Sequence, residues 1–294
     1  MEEYFEEPEE AELSEYDDAA ETGIIKILTQ EGVAYRNEFH YRLEDAMKYE
    51  LGIKEIFHER TDAAIKRLVS AGRIKETRPL GRPSITRKNP PLFYRFPTIP
   101  LFRPLHDEMI RKTKCLDMIS AMSSGMGYYA QDLWLHALDN IGFSIKYTNT
   151  NEYNGKKART SGNIDMIAEI GDMTFGIDIK NGMAYPNDIR DKFMIACELD
   201  LYPLIIARII SYKDRMWLYE NGGLFKLYMH SIYDIRFKNT YEQCSERLGY
   251  PFIFTDKIDN HVLAHLMGII EDWCPKKDEL DFKLERFKRS NFEI

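Results

Sequence analysis

Of the charged side chains in the largely apolar stretch "GNIDMIAEIGDMTFGIDIKNG" (162–182), three could act together: Asp165, Asp178 and Lys180. Side chains alternate between the two faces of a strand. In "NIDMIAEI" this puts Ile164, Met166, Ala168 and Ile170 on one face and Asp165 on the other. In "FGIDIK" it puts Phe175, Ile177 and Ile179 on one face and Asp178 and Lys180 on the other. A Gly-Asp turn joins the two strands. As a hairpin, the apolar rows pack one layer of helices, and two carboxylates and an ammonium converge on the opposite side. Close carboxylates resist burial unless a cation intervenes. A hard divalent ion, Mg²⁺ or Mn²⁺, suits them: it takes oxygen ligands, keeps several waters and binds substrate phosphates. The carbonyl of Ile179 is a further candidate ligand beside Asp165 and Asp178. Lys180 is then placed to hold the attacking water and to offset charge in the transition state. This is the chemistry of phosphodiester hydrolysis.

The elements around the hairpin must position those groups. "DEMIRKTKCLDMISAMSSG" reads as a helix, and "GYYAQDLWLHALDNIGF" as a strong amphipathic helix ending at Gly142. "SIKYTNTNEY" follows as a strand, then the basic loop "NGKKARTSG", the hairpin, a helix over "NDIRDKFMIACELD" and a buried strand "YPLIIARII". "RMWLYENGGLFKLY" reads as a second hairpin around Asn-Gly-Gly. This order predicts an α/β domain, residues 105–294, with a mixed sheet flanked by helices. The last forty or so residues hold one good helix, "NHVLAHLMGIIEDW", whose His261 and His265 at i, i+4 lack the third ligand a metal pair needs.

Residues 19–98 read as a separate unit. "AAETGIIKILTQEG" is an amphipathic helix stopped by Gly32, and "NEFHYRLEDAMKYEL" is a second helix. Thr61 or Asp62 is placed to cap a third, with Ala64, Ile65, Leu68 and Val69 inward and Gly72 at its end. "RIKETRP", a Gly-Arg-Pro turn, a basic loop and "LFYRF" then read as a β-hairpin. Three helices and a hairpin resemble a winged helix-turn-helix, the likeness resting on "AIKRLVSAGRIKE". Residues 58–103 carry 11 Lys or Arg against 3 acidic residues, an electrostatic footprint for phosphates. The resemblance puts Arg60, Lys66 and Arg67 on or near a recognition helix and Arg78, Arg82, Arg87 and Lys88 on the wing. Seven of the 12 prolines fall in 79–104, a stiff connector that marks a domain boundary near residue 100.

The pattern Asp165-x12-Asp178-x-Lys180, set in a hairpin between helices, resembles the PD-(D/E)XK, or restriction-endonuclease-like, nuclease superfamily, of which archaeal Holliday-junction resolvases are simple members. The likeness covers roughly residues 120–210. It implies a restriction-endonuclease-like core in which Asp165, Asp178 and the Ile179 carbonyl hold Mg²⁺ (or Mn²⁺) and Lys180 serves the water. The family often adds a Glu on the helix before the first strand. Counting back from Gly142 reaches Gln131, with Asp132 beside it, so the fourth member of the site is neutral here unless the register shifts by one. The family's Pro before the first Asp is replaced by Ile164. Ser161 and Gly162 let a phosphate backbone approach. Lys156, Lys157 and Arg159 form a DNA-contacting loop, and Arg190 and Lys192 are phosphate contacts of lower weight. The expected activity is a Mg²⁺-dependent deoxyribonuclease, brought to DNA by its winged helix and acting as a homodimer where both strands are cut. The alternative is a non-catalytic DNA-binding regulator on a degenerate nuclease fold.

Composition sets outer limits. The chain of 294 residues has a net charge of −8, but residues 1–21 hold 11 acidic and no basic side chains, leaving 37 acidic against 40 basic elsewhere. The acidic stretch, 1–18, reads as a disordered tail that competes with a polyanion. The longest apolar run, 201–210, is too short for a bilayer and contains Arg208, so no membrane partner is expected. The four scattered cysteines form no CxxC pair, which points to a reducing, cytoplasmic setting.

Overall fold

The computed structural model describes residues 10–50, 58–81, 91–250 and 252–292. They form two compact units. Of the described residues, one unit takes those within 10–123 and 237–250, and the other those within 124–236 and 252–292. The division falls inside a helix rather than in the proline-rich segment near residue 100.

In the N-terminal unit, α1 (Glu10–Glu31), α2 (Arg36–Glu50) and α3 (His58–Ser70) enclose a core of Ile24, Leu28, Phe39, Leu43, Ile65 and Leu68. β1 (Ala34–Tyr35), β2 (Lys75–Thr77) and β3 (Phe93–Arg95) form an antiparallel sheet in the order β1-β3-β2. α1 begins at Glu10, so residues 10–18 are helical and not part of a disordered tail. The reason is an apolar stripe that runs further back than the acidic composition suggests. Tyr16 and Ala20 continue the buried face of Ile24, and the Tyr16 hydroxyl meets Thr61 Oγ1 at 2.9 Å. Thr61 is thus a core partner, and Asp62 pairs with Arg36 and His40. Neither caps α3, which starts at His58.

The C-terminal unit is α/β. α4 (Arg103–Asn140) is one continuous helix where the sequence suggested two. β4 (Ser144–Thr150) and a small ribbon, β5 (Glu152–Tyr153) with β6 (Lys156–Lys157), come next. β7 (Ile164–Ile170), β8 (Met173–Met183), α5 (Pro186–Glu198), β9 (Tyr202–Ile209), α6 (Tyr212–Glu220) and β10 (Leu224–Leu227) complete a mixed five-stranded sheet in the order β10-β9-β8-β7-β4. β7 runs antiparallel to β4 and β8, while β8, β9 and β10 are parallel. "RMWLYENGGLFKLY" is therefore not a hairpin. Ser211 caps α6 by accepting from the Asp214 amide, Gly222 closes it at φ +84°, and the chain crosses back to lay β10 parallel to β9. Beyond it lie β11 (Ser231–Tyr233), α7 (Lys238–Leu248, packed in the N-terminal unit), β12 (Phe252–Phe254, parallel to β11), α8 (Asn260–Trp273) and α9 (Lys277–Asn291). α4 and α8 cover one face of the large sheet through Trp134, Leu138, Leu266 and Ile270. α5 and α9 cover the other through Phe193, Leu284 and Phe287. No helix among the described residues is long and apolar enough to cross a membrane.

Candidate active site

The hairpin forms as its alternation predicts. β7 and β8 pair from Ile170↔Met173 to Met166↔Ile177. Met166, Ala168, Phe175, Ile177 and Ile179 enter the core under α4 and α8. Ile164 does not follow them. At the end of the paired register it packs with Ile167, Ile195 and Ala196 on the α5 side, over Gly176. A Cβ at Gly176 would lie 2.7 Å from Ile164 Cδ1 and 3.1 Å from Ala196 Cβ, so this position needs glycine for α5 to seat on the hairpin.

Past the Met166↔Ile177 pair the strands part, and the candidate site occupies the gap. Asp165 Oδ2 accepts a 2.7 Å hydrogen bond from the Ile179 amide, taking the place of a backbone partner. A strand residue's N–H and C=O point the same way, so the Ile179 carbonyl opens toward the same gap. Asp178 is buried, with 1% of its surface exposed. Two ammonium groups reach it: Lys180 Nζ lies 3.1 Å from Oδ2 and Lys192 Nζ, from α5, 3.3 Å from Oδ1. Neither Asp178 oxygen has a hydrogen bond of good geometry among the described residues. Lys192 also donates to the Asn163 carbonyl. Behind the site, the Tyr228 hydroxyl donates to the Lys180 carbonyl at 2.8 Å. The Asn181 amide donates to the carbonyls of Met126 and Ile232 at 3.2 and 2.6 Å, which ties β8 to α4 and β11.

These contacts fix the charges. Burial, then the neighbouring charge of Asp178, pushes the Asp165 carboxyl up to about 6. Burial opposes charge on Lys180, but Asp178 and Asp165 outweigh it and hold the ammonium above its ordinary value. Lys180 is therefore a cation at neutral pH, a donor rather than a base.

Asp165 and Lys192 open onto a polar cleft of about 410 Å³, lined also by Ser124, Gly127, Tyr128 and Gln131 of α4, Asn149 of β4, and Gly162 and Asn163. Gln131 is thus brought to the site. Asp132 is not: it is exposed and stands 3.8 Å from His136. Gly162, at φ +107°, lies on the cleft wall, where a larger side chain would strain the backbone. Sequence reasoning missed Asn149, Asn163 and Tyr128, and gave Lys192 only a minor part. The spacing of Lys192 on α5 holds no signal of its own, since its role comes from α5 crossing over the hairpin.

No group of three or more His, Cys, Asp or Glu that would hold a metal occurs among the described residues. A divalent ion here would rest on Asp165, Asp178 and the Ile179 carbonyl, with Gln131 within the same cleft. That donor set fits Mg²⁺, which keeps several waters and uses one or two carboxylates. The poorly satisfied, buried oxygens of Asp178 fit a cation as well.

The basic residues expected to meet nucleic acid divide in their settings. On α3, Lys66 is exposed. Arg60 bonds Asp17 at 2.9 Å and Arg67 bonds Glu21 at 2.7 Å, so α1 neutralises two of the three. Arg78 is exposed just past β2, while Arg82, Arg87 and Lys88 lie outside the described residues. In the C-terminal unit, Lys156 pairs with Asp200 and Lys157 with Glu152. Arg159 is exposed, its amide held by Glu198 at 2.7 Å. The "KKART" loop is therefore an ordered, largely charge-matched ribbon end rather than a bare basic loop.

Comparison with protein-family models and with curated proteins gave no match.

Proposed function

We propose that this protein is a metal-dependent DNA endonuclease of the PD-(D/E)XK type, with a restriction-endonuclease-like core, and that its N-terminal unit is a winged helix that brings it to DNA. The observation that carries the reading is the gap between β7 and β8. There Asp165, Asp178, Lys180 and Lys192 come together, and Asp165 and Lys192 line a polar cleft that Gln131 of α4 also lines. Mg²⁺ or Mn²⁺ bound by Asp165, Asp178 and the Ile179 carbonyl would supply charge neutralisation at the scissile phosphate and lower the pKa of a bound water. Lys180, a fixed ammonium, donates to the attacking water and to charge building on phosphorus. Lys192 releases Asp178 as it turns toward a phosphate oxygen, and Gln131 orients water without adding charge. Gly162 lets the backbone come close. The three helices and the β1-β3-β2 sheet support the winged-helix reading, with Lys66 and Arg78 among its exposed cations. Cutting both strands would call on two copies of the chain, since one site cuts one strand.

One observation favours the second reading, a DNA-binding regulator without catalysis. Two carboxylates are matched by two ammonium groups, and the residue on α4 is neutral Gln131, so the metal-free site is already charge-balanced. Labelled duplex, single-stranded, flap and four-way-junction DNA, incubated with Mg²⁺, Mn²⁺ or EDTA, separates the two. The endonuclease cuts at least one substrate only with the metal. The regulator binds and cuts none.

A further inference from the structure

Away from the cleft, the N-terminal unit brings two thiols together. Cys115 lies on α4 and Cys244 on α7. Glu108, Cys115 and Met118 recur on one face of α4, at i, i+7 and i+10, and all three meet α7. Glu108 takes two 2.8 Å hydrogen bonds from Arg247, Cys115 shares a hydrogen bond with Cys244, and Cys244 Sγ lies 4.0 Å from Met118 Sδ. Cys115 is half-buried and keeps some contact with solvent, while Cys244 is buried. The bond from Cys244 holds the Cys115 thiol down to about 7 against the cost of burial, and Arg247 adds to this. The Cys244 thiol is pushed up by the same bond. The other two cysteines lack this arrangement. Cys197 is buried and pushed up to about 12, and Cys274 faces Met173 at 3.8 Å.

We propose that Cys115 and Cys244 are a redox pair, an accessible attacking thiol and a buried resolving thiol, which hydrogen peroxide converts to a disulfide joining α4 to α7. The Cys115 thiolate attacks the O–O bond, takes one oxygen as sulfenic acid and releases water. The Cys244 thiol then attacks the Cys115 sulfur and expels that oxygen as a second water. Two thiols lose two electrons and two protons, and one peroxide becomes two waters. The low-pKa, partly accessible thiol beside a cation is the partner that oxidises first. The bond would pin α7, a segment distant in sequence, to the helix it packs on. This inference does not depend on nuclease activity.

The test uses the full chain with hydrogen peroxide at equal molarity, followed by intact mass and non-reducing peptide mapping. The expected product has lost two hydrogen atoms, yields one linked peptide containing Cys115 and Cys244, and reverts with dithiothreitol. In Cys244→Ser, Cys115 should instead keep an oxygen and be trapped by dimedone. In unmodified protein, the pH dependence of Cys115 alkylation by iodoacetamide should centre near 7. Both thiols remaining alkylatable after peroxide, oxidation of Cys115 to sulfinic acid without a link, or a link only between chains would each overturn the proposal.

Discussion

Asp165 carries an electrostatic cost. Its carboxyl sits near 6 against an ordinary 3.8, because burial and Asp178 both disfavour its charge. Between those two values the unfolded chain has ionised and the folded chain has not, so stability falls as pH rises through the window and stays lowered above it. Asp165→Asn keeps an acceptor for the Ile179 amide and removes the charge. In metal-free buffer at pH 7.5 it should stabilise the C-terminal unit by on the order of 2 kcal/mol, an advantage that disappears below the ordinary value. Thermal melts at several pH values check this. Adding Mg²⁺ should raise the wild-type midpoint and leave the variant nearly unmoved. Lys192 makes a second residue-scale case. Lys192→Met keeps the stem but leaves Asp178 with Lys180 alone. Cleavage should fall by on the order of tenfold to a thousandfold while DNA affinity, measured by fluorescence anisotropy, changes little. A large loss of affinity with unchanged single-turnover cleavage would make Lys192 a binding residue instead. Asp165, Asp178 and Lys180 were legible in the sequence because a strand's two-residue period exposes a charge out of pattern. Lys192 was not, because no local period links a helix residue to a strand across a crossover.

Elements decide whether those residues meet. Phe193 follows Lys192 on α5 and is fully buried, with Trp217 and Phe287 packed edge-on at ring centroids 5.0 and 4.8 Å away. Phe193→Ala should cost about 3–5 kcal/mol by urea denaturation and loosen the seat of Lys192. α1 and α3 raise a different question. Asp17 and Glu21 bond the arginines that a DNA-facing α3 would offer. Asp17→Asn with Glu21→Gln should tighten duplex binding at low salt by about tenfold and lose the gain at high salt, with little change in stability, because exposed pairs contribute only ~0–1 kcal/mol. Unchanged affinity would remove Arg60 and Arg67 from the interface. α2, α3, α5, α8 and the β7–β8 hairpin could be read from period and punctuation. The start of α1 could not, since its acidic composition masks the Tyr16, Ala20, Ile24 stripe. Nor could α6 and β10. "RMWLYENGG" fits a turn by composition, and what makes it a helix is the Ser211 cap and a parallel edge on β9 that only the assembled sheet provides.

For the molecule as a whole, the sheet's mixed topology follows from chain order: a hairpin first, then crossovers through α5 and α6 that place β9 and β10 parallel to β8. The division into two units was visible as two blocks of pattern, but its position within α4 was not, because an amphipathic helix carries no mark where its packing partners change. With a net charge of −8, the proposed DNA binding has to use local positive surface, so affinity should be steeply salt-dependent. The central claim is that the gap between β7 and β8 hydrolyses phosphodiester bonds with a divalent metal. Its most direct measurement is single-turnover cleavage of the best DNA substrate with Mg²⁺, for wild type and Asp178→Asn, with DNA affinity recorded on the same samples. The account predicts metal-dependent cutting by wild type, none by the variant, and equal binding by both. Cutting that persists in Asp178→Asn, or DNA bound by wild type and left intact with every metal, would contradict it.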